Sequence, residues 1–509
     1  MTNIWDYIKQ FVGYQESQPL IFTEGAFWLF FALLLLGYSI VYKKRYLRTA
    51  YLLTFSLFFY FKASGLFFIL LIFSTICDYT LGLLIHSSQV KWKQKFYLTT
   101  SVFINLAVLS FFKYSYFFTD TINALLGTNF KAFNFLSNWA NSIAGTSFDV
   151  TSIVLPVGIS FFTFQTISYT VDIYRRKVEP VKNIIDFGFY VSFFPQLVAG
   201  PIVRAAEFIP QLYKRYSLTQ REFGHAIFLI INGMIKKVII SDYISINFVD
   251  RVFGSPLSYS GFENLLATYG YSVQIYCDFS GYTDMAIGVA LLLGFRLPIN
   301  FNSPYKAISI TDFWHRWHIS LSSWLRDYLY IPLGGNKKGT VRSYANLLIT
   351  MLLGGLWHGA SIRFVIWGGI HGASLALHKL WLKLYPKTES PSPKWKRLLS
   401  AFITFHIVCL SWVFFRAESI GKATDMLRQI ASRFGWQSFG EIILSYSPVL
   451  SLTGIALIIH WLPVSWKEFY RGLFIKTPLW LKLIIVIIMA LLVFQFKSAN
   501  LQPFIYFRF

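Results

Sequence analysis

Three histidines stand where acid–base chemistry is possible. His315 and His318 lie three apart in Asp312-Phe313-Trp314-His315-Arg316-Trp317-His318-Ile319-Ser320, and His358 follows in Leu356-Trp357-His358-Gly359. An imidazole titrates near neutrality and can take a proton from a hydroxyl or thiol during acyl transfer. His318 and His358 therefore form a candidate catalytic pair. Each also has a plainer reading, in which it donates to a backbone carbonyl in a packed core, and spacing leaves both readings open. Two histidines at i, i+3 could hold a metal. No third Cys or carboxylate stands at ligand spacing, so no metal site is expected.

The neighbouring polar residues are candidates for supporting that pair. Read as one interfacial helix capped by Thr311 or Asp312, the stretch puts His318 on a face with Trp314 and Ser322, and His315 partly beside them. Arg316, Arg326, Asp327 and Asn336 follow in the same polar segment, Phe301–Thr340. A second cluster, Tyr276-Cys277-Asp278-Phe279-Ser280-Gly281-Tyr282-Thr283-Asp284, holds two carboxylates at i, i+6. That spacing does not stack them for a shared proton. Pairing of these carboxylates with Arg316, Arg326 or Arg204 is expected instead. His371, His378, His406 and His460 show no partner pattern and read as structural or interfacial.

The elements that must position these residues follow from composition. Of 509 residues, 55% are hydrophobic, 19% aromatic and only 14% charged. Mean hydropathy is +0.51. Soluble domains carry roughly 25% charged residues. The chain therefore reads as an all-α, polytopic integral membrane protein. Disorder, a coiled coil and a secreted disulfide scaffold are excluded. The net charge of +23 does not point to nucleic acid, because cytoplasmic loops of membrane proteins concentrate Lys and Arg. Cys77, Cys277 and Cys409 are scattered, with no redox or metal spacing. The first apolar run, from about Leu20, contains Glu24 and has no basic region before it. It reads as a retained span rather than a cleaved leader.

Hydropathy predicts about ten transmembrane helices, over 20–42, 49–62, 66–87, 97–113, 151–170, 224–241, 263–292, 399–415, 447–463 and 478–496. With the N-terminus outside, every Lys/Arg cluster falls on the cytoplasmic side. Two apolar stretches do not fit as spans. The stretch 184–200 ends in Phe194-Pro195-Gln196-Leu197-Val198-Ala199-Gly200-Pro201, and two prolines and a glycine so close predict a broken or re-entrant element. The stretch 344–378 folds at Gly354-Gly355-Leu356-Trp357-His358-Gly359. Its first arm, from Tyr344 to Trp357, would be roughly 21 Å of helix, too short to cross, which would hold His358 within the membrane. An ionisable side chain there is a functional candidate. The only linker-like composition is Pro386–Arg397.

The run from Phe313 to Asn336, followed by Leu352-Leu353-Gly354-Gly355-Leu356-Trp357-His358-Gly359-Ala360, resembles the membrane-bound O-acyltransferase (MBOAT) family. Within it the chain is similar to the bacterial branch of alginate and peptidoglycan O-acetyltransferase membrane subunits. Residues 155–165, 193–201 and 276–288 support the likeness, which covers about 20–415. The resemblance implies an acyltransferase membrane core over 1–415, with a C-terminal extension over 416–509 carrying two further transmembrane helices. It implies His358 as the essential histidine and His318 at the second motif position. It leaves His315, Arg316, Arg326, Asp327, Asn336, Asp278 and Trp357 as supporting residues. No bound cofactor is implied. The implied donor is acetyl-CoA. The implied acceptor is an extracytoplasmic polysaccharide such as alginate, reached through a periplasmic acetyltransferase partner. The expected location is the bacterial inner membrane, in contact with its lipid. Two other outcomes fit the same family: peptidoglycan O-acetylation, or acyl transfer to lipid or protein. A polysaccharide transporter would predict pseudo-symmetric halves, and none is visible.

Overall fold

The structure is a computed structural model, and it describes residues 13–15, 19–144, 149–198, 200–385 and 393–496. Among the described residues every regular element is helical. The chain forms two compact units, Met1–Tyr216 and Ser217–Phe509. Among the described residues, five helices are long and apolar enough to cross a membrane: Arg45–Ser87, Lys91–Leu126, Gln220–Gly254, Lys394–Arg416 and Leu479–Phe496. The pair Trp436–Ser445 and Ser447–Trp461, bent by 84°, adds a sixth if it counts as one span. Of the other expected spans, Gly25–Val41 and Ile159–Tyr174 are shorter, at 17 and 16 residues, and Gly261–Leu292 carries Asn264, Ser272, Gln274 and Asp278, which lower its hydropathy and are buried by protein.

In the first unit, helices α1 (Gly25–Val41), α2 (Arg45–Ser64), α3 (Phe68–Ser87), α4 (Lys91–Leu126) and α5 (Ile159–Tyr174) pack together. A fully buried carboxylate, Asp78 on α3, is met by Ser101 Oγ at 2.6 Å and Asn105 Nδ2 at 2.8 Å, both on α4. Thr166 Oγ1 on α5 reaches Asn105 Oδ1 at 2.9 Å. Buried polar groups of this kind fix helix register, because each must find its partner. The expected break after 184 is present. Helix α6 (Ile184–Ser192) stops at Phe193, and a single turn, Phe194–Leu197, follows.

The second unit is built on α7 (Gln220–Met234) and α8 (Gly261–Leu292). Both open with capping boxes, Thr219 with Glu222 and Ser260 with Glu263. They run antiparallel and almost touch. A Cβ on Gly233 would stand 2.5 Å from the Gly281 carbonyl oxygen, so only glycine permits this approach. Past Met234 the chain winds as a π-helix over Ile235–Asp242.

The stretch read as one interfacial helix is broken. It forms α9 (Ile310–Arg316) and α10 (Ile319–Leu325), with Trp317 extended between them. The cap is Ser309, whose Oγ accepts from Asp312 N at 3.1 Å, rather than Thr311 or Asp312. Two helices, α11 (Thr340–His358) and α12 (Ile362–Leu384), form the expected hairpin. Its first arm is 19 residues, not 14. At 1.5 Å per residue it is about 28 Å long, so the argument that it is too short to cross does not hold. The helix starts early because Ser343 is buried and tied by Lys379 Nζ on α12, at 2.5 Å. His358 is its last residue. A Cβ on Gly355 would stand 2.2 Å from the Phe364 carbonyl oxygen, and one on Gly368 would stand 2.2 Å from that of Met351.

The unit is completed by α13 (Lys394–Arg416), α14 (Ile420–Ser432), α15 (Ser447–Trp461), α16 (Val464–Lys476) and α17 (Leu479–Phe496). Of the expected linker at 386–397, residues 386–392 lie outside the described ones, and α13 starts within the rest.

Candidate active site

His318 occupies the break between α9 and α10, with φ +45° and ψ +53°. A left-handed backbone at a residue other than glycine costs on the order of 1–3 kcal/mol and persists only when its surroundings impose it. Here the surroundings are explicit. Ile319 N donates to the Asn300 carbonyl at 3.0 Å. Ser320 Oγ donates to Asn300 Oδ1 at 2.6 Å. Ser322 N donates to the His318 carbonyl at 2.9 Å. The break thus turns His318 into the protein, away from the orientation a continuous helix would give it.

The His318 side chain is fully buried. Phe279 meets it edge-on at 4.7 Å, and the Trp357 indole lies 6.3 Å away. Burial pushes the imidazole down to about 3, so the ring is neutral at neutral pH and one nitrogen can accept a proton. His358 is buried too, 3% exposed. Its ring lies 5.0 Å from Trp357, 4.9 Å from Trp367 and 5.4 Å from Phe415. One indole therefore borders both imidazoles, and aromatic rings line the space around them.

The supporting residues separate. Asp278 precedes Phe279 on α8 but points elsewhere. Its carboxylate pairs with Lys237 Nζ at 2.5 Å, and Lys237 also meets Asp242 at 2.8 Å. The expected pairing with Arg316 or Arg326 is corrected. Arg316 pairs with Asp312 at 2.7 Å, and Arg326 pairs with its neighbour Asp327 at 2.7 Å. The cause is the π-helix, which turns Lys236 and Lys237 both onto α8. Lys236 takes Asp284 at 2.7 Å. Asn336 is exposed and accepts from Lys379 Nζ at 2.7 Å, tying the loop to α12. His315 is exposed on α9. It does not share a buried face with His318, because the helix breaks between them.

A further histidine joins the ring cluster. His371 on α12 is fully buried, with Nε2 2.9 Å from Ser411 Oγ. It lies 4.7 Å from Trp367, the same indole that borders His358. The i, i+4 spacing of Trp367 and His371 was the available signal. It reads equally well as core packing. Such a site suits proton transfer from a hydroxyl: the neutral His318 imidazole is buried in a ring-lined space where charge interactions are strong.

The model of the membrane-bound O-acyltransferase family matches residues 174–419, which include His318, His358 and His371. A relative from Pseudomonas putida, described as a probable alginate O-acetylase, is 36% identical over 96% of this chain and 100% of its own length. One of the same description from Azotobacter vinelandii is 40% identical over 86% of this chain and 82% of its own. A peptidoglycan O-acetyltransferase from Helicobacter pylori is 34% identical over 89% and 90%.

Proposed function

The chain belongs to the membrane-bound O-acyltransferase family, and on that premise we propose that it passes acetyl from a cytoplasmic thioester, acetyl-CoA, across the bacterial inner membrane to an extracytoplasmic polysaccharide such as alginate. It is a multi-pass membrane acyltransferase; the donor, direction and acceptor are our reading. The observation that carries that reading is the placing of two buried imidazoles, His318 and His358, on one indole. A charged donor and a sugar hydroxyl on opposite sides of a membrane need a station that each can reach.

In this reading His358 is the base at the acceptor. It takes the hydroxyl proton as the oxygen attacks the thioester carbonyl. The C–O bond forms, the C–S bond breaks, and the proton passes to the departing thiolate. His318 serves the donor side, where it positions the thioester. Trp357 keeps water from between them. Asp278 acts indirectly, by holding α8, and with it Phe279, against His318. The acceptor on the outer side is reached through a separate periplasmic acetyltransferase. The Helicobacter relative supports a second reading with the same chemistry and peptidoglycan as acceptor.

The test uses the purified full-length chain in proteoliposomes. Radiolabelled acetyl-CoA is supplied on one side, and oligomannuronate or muropeptide on the other with the partner present. Label on oligomannuronate supports the first reading, and label on muropeptide alone supports the second. No acetyl-CoA-dependent label on either overturns both.

A further inference from the structure

A second cluster of charge lies where α15 turns into α16. Lys467 Nζ on α16 donates to the His460 carbonyl at 2.7 Å and to Ser303 Oγ at 3.0 Å. Lys306 Nζ donates to the Leu462 carbonyl at 2.6 Å. Both ammonium groups therefore converge on the last turn of α15. Among the described residues, no carboxylate lies within ion-pair distance of either; nearby Lys236 and Arg316 are matched by Asp284 and Asp312.

Helix capping accounts for only part of this. A helix C-terminus carries about half a negative charge, and here two full positive charges meet it. Burial and the charges of Lys306 and Lys236 push the Lys467 ammonium down to about 8. The loop that brings Lys306 into place is held as a built element. Ser303 adopts φ +46°, and Tyr305 N donates to His460 Nε2 at 3.1 Å. Each ammonium offers three N–H donors. The contacts above use two on Lys467 and one on Lys306, which leaves three.

A continuous row of packed rings joins the cluster to the candidate active site. His460 lies 4.7 Å from Tyr276, which lies 5.8 Å from Phe301. Phe301 lies 5.0 Å from Phe279, and Phe279 lies 4.7 Å from His318.

We propose that Lys306 and Lys467 form an oxyanion site for a phosphate group. Resting on the reading that the donor is a CoA thioester, the site anchors the nucleotide end of the donor. The same phosphate chemistry is offered by an anionic lipid headgroup, so the test must separate the two.

The probe is adenosine 3′,5′-bisphosphate, which carries the nucleotide phosphates and no acyl group. Its binding to the full chain in zwitterionic nanodiscs is measured by calorimetry, for wild type, Lys306→Gln/Lys467→Gln and Lys306→Arg/Lys467→Arg. The glutamine pair is expected to weaken binding by about tenfold or more, and the arginine pair to restore it to within about threefold. Equal binding by all three overturns the site. A second arm measures retention of phosphatidylglycerol. Loss of that lipid alone in the glutamine pair overturns the donor assignment and gives the site to a headgroup. Because the probe undergoes no reaction, a chain that fails to transfer acetyl still gives a readable result.

Discussion

The imidazole of His318 faces the indole of Trp357 at 6.3 Å, although one belongs to a break between two short helices and the other to the end of a membrane hairpin. The neighbouring residue, His358, borders the same indole at 5.0 Å. Two motifs that are separate in the sequence thus meet at one ring.

Trp357→Phe should keep most activity, because a ring still borders both imidazoles. Trp357→Ala should remove that ring, open a cavity and cost about 3–5 kcal/mol of stability. Thermal melting together with acetyl transfer checks this. Equal activity in the two variants would show that the ring only fills space.

His358→Ala should lower acetyl transfer by roughly 10²–10⁴-fold, the scale of a lost general base, while protein level and membrane insertion stay normal. A residual rate above about a tenth of wild type would contradict that role. His318→Ala should instead impair use of the thioester, seen as lost single-turnover acetyl release. His315→Ala should retain substantial activity, since His315 is exposed and lies beyond the helix break.

The buried neutral state of His318 has a signed pH consequence. Its folded value is about 3, against about 6.5 unfolded. Between those values the unfolded chain binds a proton that the folded chain does not. Stability therefore falls as pH drops from about 6.5 toward 3, by roughly 1–3 kcal/mol over two units. His318→Gln should lose less stability than wild type on acidification from pH 7.5 to 4.5 (both chosen as about one to two units from the unfolded value). Parallel melting curves would refute the assignment.

Lys237→Met should leave Asp278 and Asp242 without their shared cation. Breaking a buried ion pair in this way costs about 3–5 kcal/mol. Asp278→Asn should cost less, because Lys237 keeps Asp242 at 2.8 Å. A Lys237→Met chain as stable as wild type would contradict a stabilising role for these ion pairs.

Much of this was legible in the residues. The Pro195 and Pro201 break and the hairpin at His358 followed from helix-breaking chemistry and hydropathy. Residue type and spacing make His318 and His358 candidates without deciding between catalysis and core packing, and the resemblance to the family is what favours catalysis. What stayed hidden was backbone that departs from a regular helix. Nothing in Trp317-His318 signals a left-handed residue, because Asn300, distant in sequence, imposes it through Ile319 and Ser320. The π-helix at Ile235–Asp242 likewise leaves no compositional mark, so the partner of Asp278 was read as arginine instead of Lys237. His371 was passed over because its neighbour Ser411 lies on another helix.

The missing side chains at Gly355 and Gly368 have a mechanical consequence. With backbone atoms already in contact where any Cβ would go, neither arm of the hairpin can slide or tilt against the other without a collision or a void. The hairpin therefore behaves as a solid wedge that carries Trp357 and His358 as fixed cargo. Any opening that admits a substrate or releases a product must come from the walls around this wedge, and the wedge itself is the reference against which they move.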